Sequence, residues 1–191
     1  MHPAFSVIFL TTLIGVGQGL YLALFTVESY AAFGLLPAQA SRFYALGSVL
    51  ALGFLVAGLV ASFFHLGRPE RAWRSAAKWR TSWLSREVIV LPAFMGTVFL
   101  YGAAHFAGFN PVLATLPSGA PVNVTAMLGV AGTVLAFALF VCTGMIYACL
   151  RFLQEWHTPL TVINYTLLGG ASGFVLACAL AAVAAQEVSG F

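Results

Sequence analysis

Long uncharged runs, separated by short polar interruptions, organise this chain. No Asp, Glu, Lys or Arg falls within 1–27, 43–67, 88–150 or 156–186. Crossing a hydrocarbon layer of about 30 Å takes roughly 20 residues of α-helix, so each run is long enough to span. The run 88–150 must hold two helices, and the segment 109–121, FNPVLATLPSGAP, supplies the turn between them through its prolines and glycine. The predicted spans are about 4–27, 43–65, 87–108, 123–151 and 160–185, with an interfacial basic loop at 66–86. The runs lack the period-two alternation of barrel strands. The expected fold is therefore all-α: a polytopic membrane helix bundle of about five transmembrane helices, forming one domain over 1–191.

Composition agrees with that pattern. The chain is 61% hydrophobic and 7% charged, against about 25% charge in a soluble domain. The first run lacks a basic flank and is too long for a signal peptide, so it reads as a retained anchor. Cys142, Cys149 and Cys178 fall within predicted spans without metal-ligand spacing. They read as small hydrophobes and carry no redox message. Two glycine clusters, Gly15–Gly17–Gly19 and Gly169–Gly170–Gly173, predict close helix packing. Gln18, Asn164 and Tyr165 are expected to make interhelical hydrogen bonds.

Charge changes the picture at one place. The segment SFFHLGRPERAWRSAAKWRTSWLSRE, 62–87, holds six of the eight basic residues and three of the four tryptophans. The positive-inside rule puts this loop and the N-terminus on the cytoplasmic side. Gly67 and Pro69 predict the end of the second helix, leaving His65 in its last turn. Ser85 is the expected N-cap of the third helix, with Glu87 in the first turn. Between them, Ala72, Ala76, Trp79 and Trp83 form an apolar stripe beside a basic stripe of Arg71, Arg74 and Lys78. An amphipathic helix lying on anionic lipid accounts for that pattern.

A second reading of the same segment starts from position. His65 and Glu87 end adjacent helices on one membrane face, within an aromatic-rich stretch. Quinol oxidation releases two protons with two electrons, and an imidazole and a carboxylate are groups that accept them. From the residues alone, both readings stand. A bis-histidine haem is not expected, because His105 lies near the opposite end of the third helix from His65 and His157. No clustered cysteines, dinucleotide motif or P-loop is present. Electrons would have to pass to or from another subunit.

The stretch HLGRPERAWRSAAKWRTSWLSRE resembles the signature of the membrane anchor subunit of DMSO-reductase-type molybdoenzymes, the DmsC family. HPAFSVIFLTTLIGVGQGL near the N-terminus and TGMIYACLRFLQEWHTPLTVINYTLLG at 143–169 are similar to it too. The resemblance implies a bacterial inner-membrane anchor for a four-cluster iron–sulfur subunit and a molybdopterin catalytic subunit, with no haem or metal of its own and no nucleic-acid partner. It implies electron exchange with menaquinol or ubiquinol, driving reduction of DMSO or another S-oxide. Anchors of this kind also serve quinone-reducing complexes such as cytoplasmic sulfite dehydrogenases. The implied quinone site consists of His65 and Glu87, with Trp83 and Arg68 beside them. Arg71, Arg74, Lys78, Arg80 and Trp79 are the expected docking surface for the iron–sulfur partner. The resemblance implies about eight spans in family members, against five here, so the sequence is either that of a short member or a part of a longer one. A purely structural anchor and a transporter, which would need broken helices or midplane charges, are the alternatives from other classes.

Overall fold

The computed structural model describes residues 5–64, 69–115 and 121–189. Five long helices cross the molecule in alternating directions: α1 (Phe5–Ala32), α2 (Ser41–Phe63), α3 (Trp83–Ala107), α4 (Val124–Ala148) and α5 (Pro159–Ser189). All five are long and apolar enough to cross a membrane. A 3₁₀ helix, Pro69–Lys78, lies between α2 and α3, and a two-stranded hairpin, β1 (Val112–Thr115) and β2 (Pro121–Asn123), lies between α3 and α4. The all-α membrane bundle expected from the apolar runs is the observed fold.

Packing follows from where small residues sit. Helix α1 touches α2, α4 and α5, and the chain closes round it through α2–α3, α3–α4 and α4–α5 contacts. Along α1 and α5 the backbones meet directly. A Cβ built on Gly19 would lie 2.2 Å from the Gly169 carbonyl oxygen, and one on Gly173 would lie 2.0 Å from the Gly19 carbonyl carbon. Only hydrogen fits at that crossing, so Gly19 and Gly173 pack as expected, whereas a Cβ on Gly170 would meet nothing within 4 Å. Tyr21, Phe94 and Tyr101 fill the centre with edge-on ring contacts. Gln18 Nε2 donates to Ala136 O at 3.0 Å, and Tyr165 OH donates to Thr11 O at 2.9 Å. These bonds tie α1 to α4 and to α5. Asn164 instead points outward.

Several predicted boundaries are corrected. Helix α1 runs to Ala32, past Glu28, and stops where Gly34 turns back with φ 73°. The charge at Glu28 had marked the end of the apolar run, but a partnered carboxylate continues a helix. Helix α3 begins at Trp83, and its N-cap is Ser82, whose Oγ accepts from Ser85 N at 3.4 Å. Ser85 itself is buried and donates its hydroxyl to Ser75 O. Glu87 therefore sits in the second turn rather than the first. Helix α4 stops at Ala148, leaving Cys149 as its exposed C-cap and Cys142 buried within it.

Candidate functional site

The segment between α2 and α3 is held by its own backbone. Arg86 Nε donates to Trp79 O and Arg86 Nη2 to Arg80 O, both at 2.9 Å, while its guanidinium lies over the Trp83 ring at 4.2 Å. With the Ser85–Ser75 bond, these contacts fold the 3₁₀ helix back against the start of α3. The expected amphipathic α-helix is not formed. A 3₁₀ helix has three residues per turn, so the stripe of Ala72, Ala76, Trp79 and Trp83 does not persist. Trp79 lies beyond that helix and Trp83 opens α3.

Glu87 is partly buried and faces α4, where Thr143 Oγ1 donates to its Oε1 at 2.5 Å. A cavity of about 270 Å³ opens beside it, between α1, α2, the 3₁₀ helix and α3. Ser62, Trp73, Ser75 and Glu87 give it polar points on a wall otherwise supplied by Leu10, Ile14 and Leu91, among others. A few fixed polar groups on apolar walls are what hold an amphipathic ring in a ligand site. A carboxylate that can take or give a proton adds chemistry to that shape.

The expected site residues fare differently. Glu87 lines the cavity. Trp83 does not line it among the described residues; the tryptophan there is Trp73. Trp83 is instead covered by Arg86. His65 and Arg68 lie outside the described residues, as does Gly67. Phe63, two residues before His65, lines the same cavity. Arg71, Arg74, Lys78, Trp79 and Arg80 are all exposed. Arg74 lies over Trp73 at 5.5 Å and Arg80 over Trp79 at 5.3 Å, while Arg71 faces Glu70 at 4.0 Å. That exposed ion pair contributes little to stability, so the cations remain available to an anionic surface.

A second group of polar residues was not anticipated together. Glu28, His105, Tyr101 and Thr125 converge at the other end of the helices. The signal lay in the breakers: Gly34 and Pro37 stand well past Glu28, so the helix had room to carry it to the level of His105.

The whole of this arrangement has relatives. The family model described as DMSO reductase anchor subunit (DmsC) matches residues 1–190. The C subunit of sulfite dehydrogenase from Allochromatium vinosum is 65% identical over 182 residues, 95% of this chain and 56% of that protein. The chain thus spans about half the length of this curated relative. No solved structure matches. With five apolar helices, a basic segment folded against α3 and a family match along nearly its full length, the chain belongs to the DMSO reductase anchor subunit (DmsC) family.

Proposed function

We propose that this chain anchors a molybdoenzyme complex in the bacterial inner membrane and exchanges electrons between menaquinone or ubiquinone and an iron–sulfur partner subunit. The observation that carries the proposal is Glu87, held by Thr143 against a cavity with few polar points and apolar walls. A quinone headgroup has polar oxygens at two ends of an apolar ring, and the donor set suits it. Quinone reduction consumes two protons with two electrons, and quinol oxidation releases them. Glu87 carries one of those protons at its carboxyl oxygens. His65, close in sequence to the cavity-lining Phe63, carries the other on its imidazole. Arg71, Arg74, Lys78, Arg80 and Trp79 then form the face that meets the iron–sulfur subunit, and the complex is completed by a molybdopterin subunit.

The name of the 65% identical relative favours one direction. In that direction, sulfite and water give sulfate, two protons and two electrons, and the electrons reduce quinone. Quinol-driven reduction of DMSO or another S-oxide, which the family description suggests, is the second reading. Purified complex supplied with sulfite and a short-chain quinone, or with quinol and DMSO, separates the two by which pair turns over.

The site is tested with Glu87→Gln and His65→Ala in the assembled complex. Loss of a positioned proton carrier costs about a hundredfold or more in rate. Quinone-linked turnover should fall by that order in each variant, with unchanged turnover to an artificial acceptor that bypasses the membrane. Full quinone-linked turnover in both, with the complex intact, would remove the site assignment.

A further inference from the structure

Far from Glu87, at the other end of α3, a carboxylate and an imidazole are enclosed between helices. Glu87 and His105 are eighteen residues apart on α3, or about 27 Å at 1.5 Å per residue. His105 is 8% exposed, and its Nε2 lies 3.5 Å from Glu28 Oε1. Thr125 Oγ1 donates to the same oxygen at 2.6 Å, and Tyr101 OH donates to Oε2 at 2.6 Å. Asn110 Oδ1 accepts from Thr125 N at 3.1 Å, fixing the start of α4 beside Glu28. Tyr44 stacks on the imidazole with ring centres 4.6 Å apart.

We propose that Glu28 and His105 form a proton-exchange site, binding a proton from the aqueous phase at this face of the membrane. Two features go beyond an interlock between helices. First, at that distance His105 Nε2 has no hydrogen-bond partner among the described residues, and neither has the nearby buried Asn123 Oδ1. Second, a cavity of about 290 Å³ opens onto Glu28 and His105, lined also by Tyr44, Gln39, Asn110 and Asn123. A polar cavity of that size admits water molecules, which link the pair to the surface. A proton from that water adds to the imidazole Nε2 or the carboxylate Oε1, and the short gap between them lets either group hold it. Ionisable residues within membrane spans are costly and mark proton or ion sites.

The titratable groups facing the pair are Tyr21 from α1, Tyr44 from α2 and Tyr101 from α3. Among the described residues, Thr125 from α4, Asn123 from the hairpin and Asn110 just before it add no titratable group, and Arg42 lines an adjoining groove that His105 also borders. The site does not depend on the quinone reading at Glu87.

The experiment uses the full-length protein in its complex, in nanodiscs, with isotope-labelled histidine. The four histidines of the chain give few signals, and His105→Gln identifies the one that matters. That signal should show transfer of magnetisation from water to the imidazole N–H, as a link to the surface through the cavity requires. Glu28→Gln, which removes the carboxylate facing the imidazole, should slow that exchange about tenfold or more. Tyr101→Phe, which keeps the ring and removes one donor to Glu28, should change the same exchange rate measurably and serves if Glu28→Gln does not assemble. A His105 signal without water exchange, or an exchange rate unmoved by these variants, would overturn the proposal.

Discussion

Thr143 is the residue on which the Glu87 geometry turns. It stands on α4, and its hydroxyl donates to a carboxylate that lines a cavity with mostly apolar walls. Hydrogen bonds to a charged group are worth about 1.5–3 kcal/mol, so losing this one leaves Glu87 free to take other rotamers. Thr143→Val keeps the shape and removes the donor. It should lower quinone-linked turnover by roughly tenfold or more, whereas Thr143→Ser should keep most of it. Equal rates in Thr143→Val and the parent would show that Thr143 does not position Glu87. No feature of the sequence singled out Thr143, because a threonine inside an apolar run looks the same whether it bonds its own helix or a neighbour. Thr133, ten residues earlier, bonds Gly129 O within α4. Glu87 was legible for the opposite reason: a charge at the border of an apolar run is conspicuous whatever it does.

At the scale of elements, the spans were readable because bilayer thickness dictates length, and uncharged runs of that length have few other uses. Their ends were less readable. Ser82 and Ser85 are both good N-caps, and the choice between them rests on which hydroxyl is needed elsewhere; Ser85 is taken by Ser75 O. The end of α1 was misjudged because Glu28 resembles a loop residue until its partners on α3 and α4 are known. Glycine clusters were more informative, since backbone contact leaves few substitutes. Gly19→Ala would put its methyl 2.2 Å from the Gly169 carbonyl oxygen. The backbone cannot yield as a side chain would, so overpacking should cost about 1–3 kcal/mol. Gly53, with nothing within 4 Å of a built Cβ, is the control. Thermal unfolding in detergent should place Gly19→Ala well below the parent and leave Gly53→Ala near it. Matching curves for the two variants would mean that α1 and α5 can separate without loss.

Across the whole molecule, the helices divide charge unequally between the two ends. The turns after α2 and α4 lie together, and they carry Arg71, Arg74, Lys78, Arg80 and Arg151. The opposite end holds Arg42 and the enclosed Glu28–His105 pair. By the positive-inside rule, such asymmetry predicts that the basic end faces the cytoplasm. The chain contains its own reporter of that orientation. Cys149 is exposed at the C-cap of α4, on the basic end, while Cys142 is buried and Cys178 lies on the outer face of α5 within its span. A membrane-impermeant maleimide reacts with a thiol that reaches water, so Cys149 is the expected target. Labelling should occur in inside-out membrane vesicles and be absent from intact spheroplasts, and Cys149→Ser should abolish it. Labelling from the spheroplast side instead would put the basic face, and any subunits it docks, outside the cytoplasm. The proton site at Glu28 and His105 would then open to the cytoplasm, reversing the direction in which it exchanges protons.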